Sequence, residues 1–323
     1  MTTKPYHPPF DITPAILQRS NEIAETLGRW SALLQGDLSP KLRRSQRIQT
    51  IQASLAIENN TLSVAQVTDI LDGKRVLGLP REIQEVRNAF TTYEKMPLWK
   101  STSREDLLDA HRLLMLGLVD HPGQFRAGGV AIYRGTRVVH MAPPAHRVTI
   151  LMQDLLHWLS TTTFSPLIAS CIFHYEFEFI HPFEDGNGRM GRLWQTLILS
   201  KWQPVLAYLP VETVIHEQQD GYYQALAASD QMANSMPFVE FMLTALQEAI
   251  QKSSVKSSVK SSGKTDIQIL RLLTENAELT IPELAEQLNL STRAIEKQIE
   301  KLKTQGRLHR IGPDKGGRWE IPA

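Results

Sequence analysis

The segment HPFEDGNGRMGR, residues 181–192, combines side chains whose types and spacing suit phosphate chemistry. His181 ends an apolar run, where its imidazole can serve as a general base near neutral pH. Asp185 offers the hard carboxylate oxygen that Mg²⁺ prefers. The Gly-Asn-Gly backbone at 186–188 can turn its N–H groups towards an anion and opens the next predicted helix, whose N-terminus attracts phosphate. The segment therefore predicts a base, a metal ligand and an anion-binding loop side by side.

Two arginines complete this set. Arg189 and Arg192 are three residues apart on the predicted helix, so both side chains can face the same site. A lone histidine at a helix end, a Gly-Asn-Gly turn or a pair of arginines is usually structural when each occurs alone. Their joint occurrence within twelve residues favours a triphosphate site that serves a nucleophile.

Bulk composition restricts the class of protein. The chain has 323 residues, 42% of them hydrophobic, which predicts a globular protein with a large domain plus a small one, or two to three domains. A net charge of +1 excludes a globally basic nucleic-acid coat but not a local basic patch. A single cysteine, Cys171, permits no intrachain disulfide and favours a reducing, cytoplasmic setting. The first residues do not read as a signal peptide, and we expect no membrane span.

The elements that must position the 181–192 segment are mainly helical. The run SPLIASCIFHYEFEFI, residues 165–180, is apolar nearly all round, which predicts a buried central helix. A Gly- and Pro-rich stretch at 121–147 contains β-prone pieces around Tyr133 and Val138, which predict a short hairpin. Apolar periodicity predicts helices at about 14–34, 41–57, 61–71, 81–96, 103–118, 147–160, 165–180, 188–201, 217–229 and 236–251.

The C-terminal part has a separate pattern. Residues 251–264 form a low-complexity Lys/Ser repeat that cannot bury a core, so we expect a flexible linker. Residues 265–323 predict three helices followed by a hairpin, which is the order of a winged helix-turn-helix. The predicted fold class is mainly α, with a short β-hairpin and a small winged-helix domain at the end.

The 181–192 segment resembles the signature of the Fic (filamentation induced by cAMP) family, His-Pro-Phe-x-Asp/Glu-Gly-Asn-Gly-Arg-x-x-Arg, at every specified position. The resemblance covers roughly 1–250. It implies an N-terminal helical region at 1–100, a catalytic core at 101–250, and a β-hairpin at 129–144, which we call the flap. Proteins of this family typically transfer AMP from ATP to a hydroxyl side chain of a protein, with Mg²⁺.

The resemblance assigns a role to each matching residue. His181 would deprotonate the target hydroxyl, and Asp185 would hold Mg²⁺ between the α- and β-phosphates. The implied ATP-binding residues are Gly186, Asn187, Gly188, Arg189, Arg192, Tyr222 and Tyr223. The loop residues would cradle the α- and β-phosphates with an added side-chain contact from Asn187, the arginines would hold the β/γ end, and the tyrosines would lie near the adenine.

The flap would align the target segment by adding it as a β-strand. The residues implied are Thr136, Arg137, Val138, Val139 and His140. Some relatives have an asparagine seven residues after the paired tyrosines. This chain has Asp230 there, so that contact is not carried over.

The segment SLAIENN, residues 54–60, matches the inhibitory motif of the family, Ser/Thr-x-x-x-Glu-Gly/Asn-Asn, through Ser54, Glu58 and Asn60. The motif lies on a predicted helix at about 41–60. The resemblance implies that Glu58 pairs with Arg192, so that ATP binds only in an unproductive pose. A local interpretation also holds, since asparagine tolerates the left-handed conformation that ends helices.

The sequence is compatible with several functions. The main hypothesis is AMP transfer to a Tyr, Ser or Thr of a protein substrate, which could be the chain itself; removal of AMP at the same site is an alternative. The intact signature disfavours transfer of another phosphate-containing group. A third alternative is a regulator that binds DNA through Ser291, Thr292, Arg293 and Lys297. Residues 265–323 could instead bind a protein partner or form a homodimer.

Overall fold

A computed structural model describes residues 6–33, 40–134, 137–260, 263–288, 290–312 and 317–322. The chain divides into two compact units, Met1–Gln251 and Lys252–Ala323, and each is described by itself. Among the described residues, no helix combines the length and the apolar character needed to cross a membrane.

The first unit is built mainly from helices, as predicted. They are α1 Pro14–Leu33, α2 Pro40–Ile57, α3 Val64–Leu71, α4 Pro80–Lys95, α5 Arg104–Leu114, α6 Ala145–Thr161, α7 Pro166–Ile180, α8 Asn187–Trp202, α9 Val211–Glu217, α10 Gln219–Met232 and α11 Met236–Lys260. Short 3₁₀ turns cover Met96–Leu98 and Pro204–Tyr208. The short helix α9 was not predicted; it follows Pro210, packs against α2, and has four buried residues among its seven.

Helix α7 is the centre of this unit. Thirteen of its fifteen residues are buried, which confirms the prediction from its uniformly apolar sequence. Ser165 caps the helix by accepting the N–H of Ile168, and Pro166 occupies the first turn, where no N–H is needed. Helices α6 and α8 pack directly against α7. The elements on both sides of the signature loop are therefore fixed by the core.

The predicted hairpin is present. Strands β1 Ala131–Arg134 and β2 Arg137–Met141 pair antiparallel, with an irregularity between Ile132 and Tyr133. Thr136, one of the predicted flap residues, lies outside the described residues, as do the side chains of 132–139. The predicted flap residues Arg137, Val138 and Val139 are therefore placed by their backbone alone, and His140 by its side chain as well.

The second unit has its own small core. Helices α12 Gly263–Glu275, α13 Ile281–Gln287 and α14 Thr292–Thr304 are followed by the antiparallel strands β3 His309–Ile311 and β4 Arg318–Glu320. Thr280 and Glu283 form a reciprocal capping box on α13, and Ser291 caps α14. The order of elements confirms the winged-helix prediction.

The expectation of a flexible linker at 251–264 is corrected for its first ten residues. Helix α11 continues to Lys260, and residues 261 and 262 lie outside the described residues. The physical reason is in the composition: the repeat contains neither proline nor glycine before Gly263. Lysine is a good helix former, so a helix already started at Met236 can propagate through the repeat.

Candidate functional site

The loop between α7 and α8 is bounded by two residues in the left-handed conformation. His181 has φ 49° and ψ 62°, and its N–H closes α7 by donating to the carbonyl of Phe177. Gly186 has φ 84° and begins α8. A β-carbon at Gly186 would lie 2.7 Å from the sulfur of Met115, so the position requires glycine for space as well as for φ.

The loop is held by the side-chain amide of Asn187. Its Oδ1 accepts the N–H of Phe183 at 2.9 Å, and its Nδ2 donates to the carbonyl of Phe183 at 2.9 Å. Both ends of this buried amide are thus engaged within the loop. This side chain therefore holds the loop in shape, and its predicted contact with the nucleotide stays a prediction.

His111 supports the loop from α5. Its ring stacks on Phe183 with centroids 3.6 Å apart. Its Nδ1 accepts the N–H of Gly123 at 2.8 Å, so Nε2 carries the proton and donates to the carbonyl of Asp185 at 3.1 Å. Burial lowers the pKa of His111 to about 4, which keeps the ring neutral and its tautomer fixed. No local motif predicts this role, since His111 lies 74 residues before Asp185.

His181 lines a cavity beside the loop, and its side chain is only 15% exposed. Burial lowers the pKa of His181 to about 4, so the imidazole is neutral at pH 7 and able to accept a proton. Its Nδ1 is 4.0 Å from Oε2 of Glu178. Glu178 is buried on α7, and burial raises the pKa of this carboxyl to about 7. The presence of glutamates in a helix predicted to be buried was the sequence signal that could have identified Glu178.

The carboxylate of Asp185 lies at the start of α8. Oδ1 accepts the N–H of Gly186 at 2.6 Å and Nη2 of Arg189 at 3.1 Å, while Oδ2 pairs with Nη2 of Arg81 at 3.2 Å. The side chain remains 44% exposed. Among the described residues, no group of three or more His, Cys, Asp or Glu side chains could hold a metal. A single accessible carboxylate fits Mg²⁺, which commonly takes one or two carboxylates together with phosphate oxygens and water.

Arg192 is buried, and its guanidinium hydrogen-bonds to residues at the C-terminal end of helix α2. Its Nε donates to Oγ of Ser54 at 3.1 Å, and its Nη2 donates to the carbonyl of Ser54 at 3.0 Å and to Oε1 of Glu58 at 2.8 Å. Burial disfavours the charge, but the Glu58 carboxylate outweighs it and raises the pKa of Arg192 above its usual value. The structure thus brings together two residues that the sequence separates by 134 positions.

The Glu58 carboxylate contacts the predicted anion-binding loop as well as Arg192. A β-carbon added at Gly188 would lie 2.6 Å from Oε1 of Glu58 and 3.1 Å from Nη1 of Arg192. The carboxylate therefore occupies the surface that the loop offers to an anion. The absence of a side chain at Gly188 is what allows this approach.

The asparagines that follow Glu58 end helix α2. Asn59 has φ 67°, and its N–H donates to the carbonyl of Ala56 at 3.0 Å. The N–H of Asn60 donates to the carbonyl of Leu55 at 3.1 Å, which completes the two bonds of a Schellman motif. The side chain of Asn60 is buried and donates to Oε2 of Glu85 at 2.9 Å. The end of α2 is thus fixed both by its own cap and by a bond to α4.

The site residues surround a cavity of about 440 Å³. Tyr222 and Tyr223 line it together, with ring centroids 5.4 Å apart; Tyr222 is buried and Tyr223 is partly exposed. Arg189 does not line this cavity; it pairs with Glu85 at 3.3 Å and with Asp185 at the other side of the loop. The lining residues are Ile57, Glu58, Asn59, His140, Tyr175, Glu178, Phe179, His181, Gly188, Arg192, Gln219, Tyr222, Tyr223, Leu226, Ala227 and Asp230.

Comparison with known proteins agrees with this geometry. A family model described as Fic/DOC family matches residues 101–199, and one described as winged helix-turn-helix DNA-binding matches residues 263–308. The crystal structure of a Fic family protein from Desulfovibrio desulfuricans G20 is 52% identical in sequence, with a TM-score of 0.76. The similarity covers 98% of this chain and 99% of that one.

Curated relatives match a shorter region. Proteins named protein adenylyltransferase Fic are 31% identical in Drosophila virilis over 221 residues and 32% identical in Aedes aegypti over 227 residues. These matches include 62% and 64% of this chain, respectively. The chain spans only 42% of the length of either relative.

The geometry of Gly186 predicts that a single methyl group at this position strongly destabilises the folded chain. We expect Gly186→Ala to lower the free energy of unfolding by about 2–4 kcal/mol, because a left-handed φ and contact with Met115 both oppose the side chain. Gly73→Ala is the matched control, since Gly73 has φ 77° with open space around it; it should cost about 1 kcal/mol. Urea unfolding of the full chain measures both. Equal costs for the two variants would show that the contact with Met115 is unimportant.

Burial of His181 predicts that its imidazole stays neutral over the physiological range. Its pKa is lowered to about 4, so protonation should begin only as the pH falls well below 6. Histidine ring resonances of ¹⁵N-labelled protein, with His181→Ala to identify the signal, report the charge directly. A midpoint near the ordinary value of 6.5 would contradict the burial argument.

Proposed function

Because the chain belongs to the Fic family, we propose that it is a protein adenylyltransferase, which transfers AMP from ATP to a Tyr, Ser or Thr hydroxyl of a protein. Support comes from the relatives of that name and from a cavity that joins a neutral histidine, a glycine-rich anion loop and a buried arginine. The setting we propose is cytoplasmic. The protein substrate could be the chain itself.

In the proposed reaction, His181 removes the proton of the target hydroxyl while the hydroxyl oxygen attacks the α-phosphorus of ATP. The bond from the α-phosphorus to the bridging oxygen breaks, and pyrophosphate leaves with the electron pair. His181 is suited to this step because its imidazole is neutral before the reaction. The N–H groups at 186–188 stabilise charge that develops on the phosphate oxygens.

The signature arginines and the Asp185 carboxylate act at the pyrophosphate leaving group. Arg192 holds the β/γ end of ATP once Glu58 has left it, and Arg189 orients the Asp185 carboxylate through the contact at 3.1 Å. Asp185 would hold Mg²⁺, and Arg81 would release Oδ2 for this purpose, since its own side chain is 59% exposed. Bound Mg²⁺ supplies neutralisation of the phosphate charge.

The wild-type chain is proposed to be inhibited by Glu58. The observation that carries this proposal is the position of its carboxylate, 2.8 Å from Nη2 of Arg192 and against Gly188. A phosphate at the same place would meet both steric overlap and like charge. A charge-assisted hydrogen bond of this kind contributes about 1.5–3 kcal/mol, and the partial exposure of Glu58 places it towards the lower end.

The same arrangement suits the reverse reaction as an alternative. Glu58 and His181 line one cavity, so the carboxylate could orient a water that removes AMP from a modified protein. Loss of label from a modified target in the presence of wild-type protein, without ATP, separates removal from transfer.

Removing Glu58 should activate the enzyme. We expect Glu58→Gly to raise labelling of protein by α-³²P ATP and Mg²⁺ on the order of tenfold, because Arg192 and the loop become available to the phosphates. Intact mass spectrometry of the same protein reveals any self-modification. Adding His181→Ala to this variant should abolish the label, since the proposed general base is then missing.

The control for a glycine at a helix end is Glu275→Gly. Glu275 also ends a helix and pairs with an arginine, Arg271, but it lies in the second unit. The Glu275→Gly variant should leave labelling at the wild-type level. Wild-type levels of transfer in Glu58→Gly protein would refute the inhibitory role, whereas label that survives His181→Ala would refute the proposed base.

A second candidate function belongs to the winged helix. The family model that matches 263–308 is described as DNA-binding. Ser291, Thr292, Arg293 and Lys297 are exposed at the start of α14, while Ile295 and Ile299 on the same helix are buried. An exposed, basic N-terminal half of this helix is the geometry with which such domains enter the major groove.

DNA binding by this surface predicts a specific salt effect. For the full chain and a pool of short random-sequence duplexes, Arg293→Ala with Lys297→Ala should weaken binding. It should also reduce the slope of log K against log salt by about two, since two phosphate contacts are lost. Arg271→Ala on α12 is the control for loss of a surface cation and should change neither quantity. No binding by the wild-type chain would favour a protein partner.

A further inference from the structure

The side chain of His140 joins the flap to two helices of the core. On β2, its Nδ1 lies 2.7 Å from Oδ2 of Asp230 on α10, and its Nε2 lies 2.8 Å from the carbonyl of Phe179 on α7. Only 10% of the His140 side chain is exposed. Both ring nitrogens therefore have a partner, and the two partners lie on different helices.

The chemistry of these partners requires His140 to be charged. A carbonyl oxygen can only accept, so Nε2 must carry a proton. The other oxygen of Asp230, Oδ1, accepts the hydroxyl of Tyr175 at 2.9 Å. Because an aspartate side chain at neutral pH is ordinarily a carboxylate, which can only accept, Nδ1 donates to Oδ2 as well, and a ring that donates from both nitrogens is an imidazolium.

The charge balance around the ring supports the same conclusion. Burial opposes the charge, but the hydrogen bond and the charge of Asp230 outweigh it and raise the pKa of His140 above its ordinary value. An asparagine at position 230 would accept a hydrogen bond but would not supply this charge.

The contact with Phe179 fixes the flap close to the base. Phe179 lies two residues before His181, and its carbonyl belongs to the last turn of α7, where carbonyls have no partner within the helix. A cation at this end is also favoured by the helix dipole. Any displacement of His140 thus changes the distance between β2 and the turn that carries His181.

A second cation, Arg126, holds the two ends of the flap in place. The Arg126 guanidinium donates to the carbonyls of His181 at 2.7 Å, Gly128 at 2.8 Å, Pro143 at 2.6 Å and Ile180 at 3.2 Å. Gly128 precedes β1 and Pro143 follows β2, so the flap is closed at its root onto the end of α7. Arginine keeps its charge at all physiological pH values, so this attachment does not titrate.

We propose that His140 and Asp230 form a positioning pair that holds strand β2 of the flap against α7 and α10, and that loss of the His140 proton releases the strand while its Arg126-bound root stays attached. The proposal rests on the proposed function only for what the flap aligns, namely the protein segment to be modified. The pair does not contact the phosphates, so its role is to place the strand that would receive the target.

The direction of the pH effect follows from the charges that face His140. Asp230 hydrogen-bonds to the His140 ring directly, and Tyr175 is linked to the ring through Asp230. Glu178 on α7 and His181 just after α7 also act on the ring electrostatically. Since the pKa of His140 is raised in the folded chain, its stabilising contribution is complete below about 6.5 and is lost as the pH rises through the raised value. Release of β2 is therefore expected on the alkaline side.

Hydrogen exchange of the full chain tests the release of β2. The measurement uses neither ATP nor a protein substrate, so its result does not depend on whether the chain transfers AMP. Peptides covering 131–141 should lose protection on the order of tenfold as the pH rises through the His140 transition, after correction for intrinsic exchange rates. In parallel, ring resonances of His140 should show two N–H groups below the transition and one above it.

Three variants sharpen the test. His140→Gln keeps a neutral donor of similar shape and should remove the pH step, whereas Asp230→Asn should move both the step and the ring titration to lower pH. Asp120→Asn, at an exposed position before the flap, is the control and should reproduce the wild-type step. A wild-type flap with no pH step, a step that persists in His140→Gln, or a His140 ring that is neutral below pH 6.5 would each overturn the proposal.

Discussion

The arrangement of this active site depends on one buried guanidinium. Arg192 is almost completely shielded from water, and a buried cation is costly unless its N–H groups and its charge are satisfied. In this structure helix α2 meets the requirement with the Ser54 carbonyl and hydroxyl and the Glu58 carboxylate. A nucleotide would meet it with phosphate oxygens. The Glu58 carboxylate and a phosphate would satisfy the same guanidinium, which is the physical basis of the inhibition proposed above.

The end of helix α7 is the second place where charge organises the site. Carbonyls of its last turn and of His181 accept from Arg126 and from His140, both of which come from the segment that contains the flap. The helix end, the catalytic base and the flap are therefore one electrostatic unit. The neutral rings of His111 and His181 lie beside it, and both lose their charge to burial rather than to a neighbouring cation alone.

Sequence reasoning found the parts of the fold and site that are encoded locally. Periodicity located α7 and the winged helix, and the spacing within 181–192 predicted the base, the loop and the arginines, of which His181, Gly188 and Arg192 line one cavity. It did not find α9, nor the helical continuation to Lys260, because both depend on packing or propagation rather than on a local stop signal. It also did not find that the amide of Asn187 is engaged with Phe183, since that bond depends on the conformation of the loop. The pairing of His140 with Asp230 joins residues 90 positions apart, which spacing cannot reveal.

The bond between Asn60 and Glu85 has a consequence for the stability of this chain. Glu85 also pairs with Arg189, so both signature arginines contact carboxylates from the first hundred residues, Arg192 through Glu58 and Arg189 through Glu85. Arg189 has a second carboxylate partner in Asp185. Loss of Glu85 therefore leaves Arg189 in an ion pair, whereas loss of Glu58 removes the carboxylate that pairs with the buried Arg192 cation. Glu58 thus contributes to folding independently of any role in the reaction.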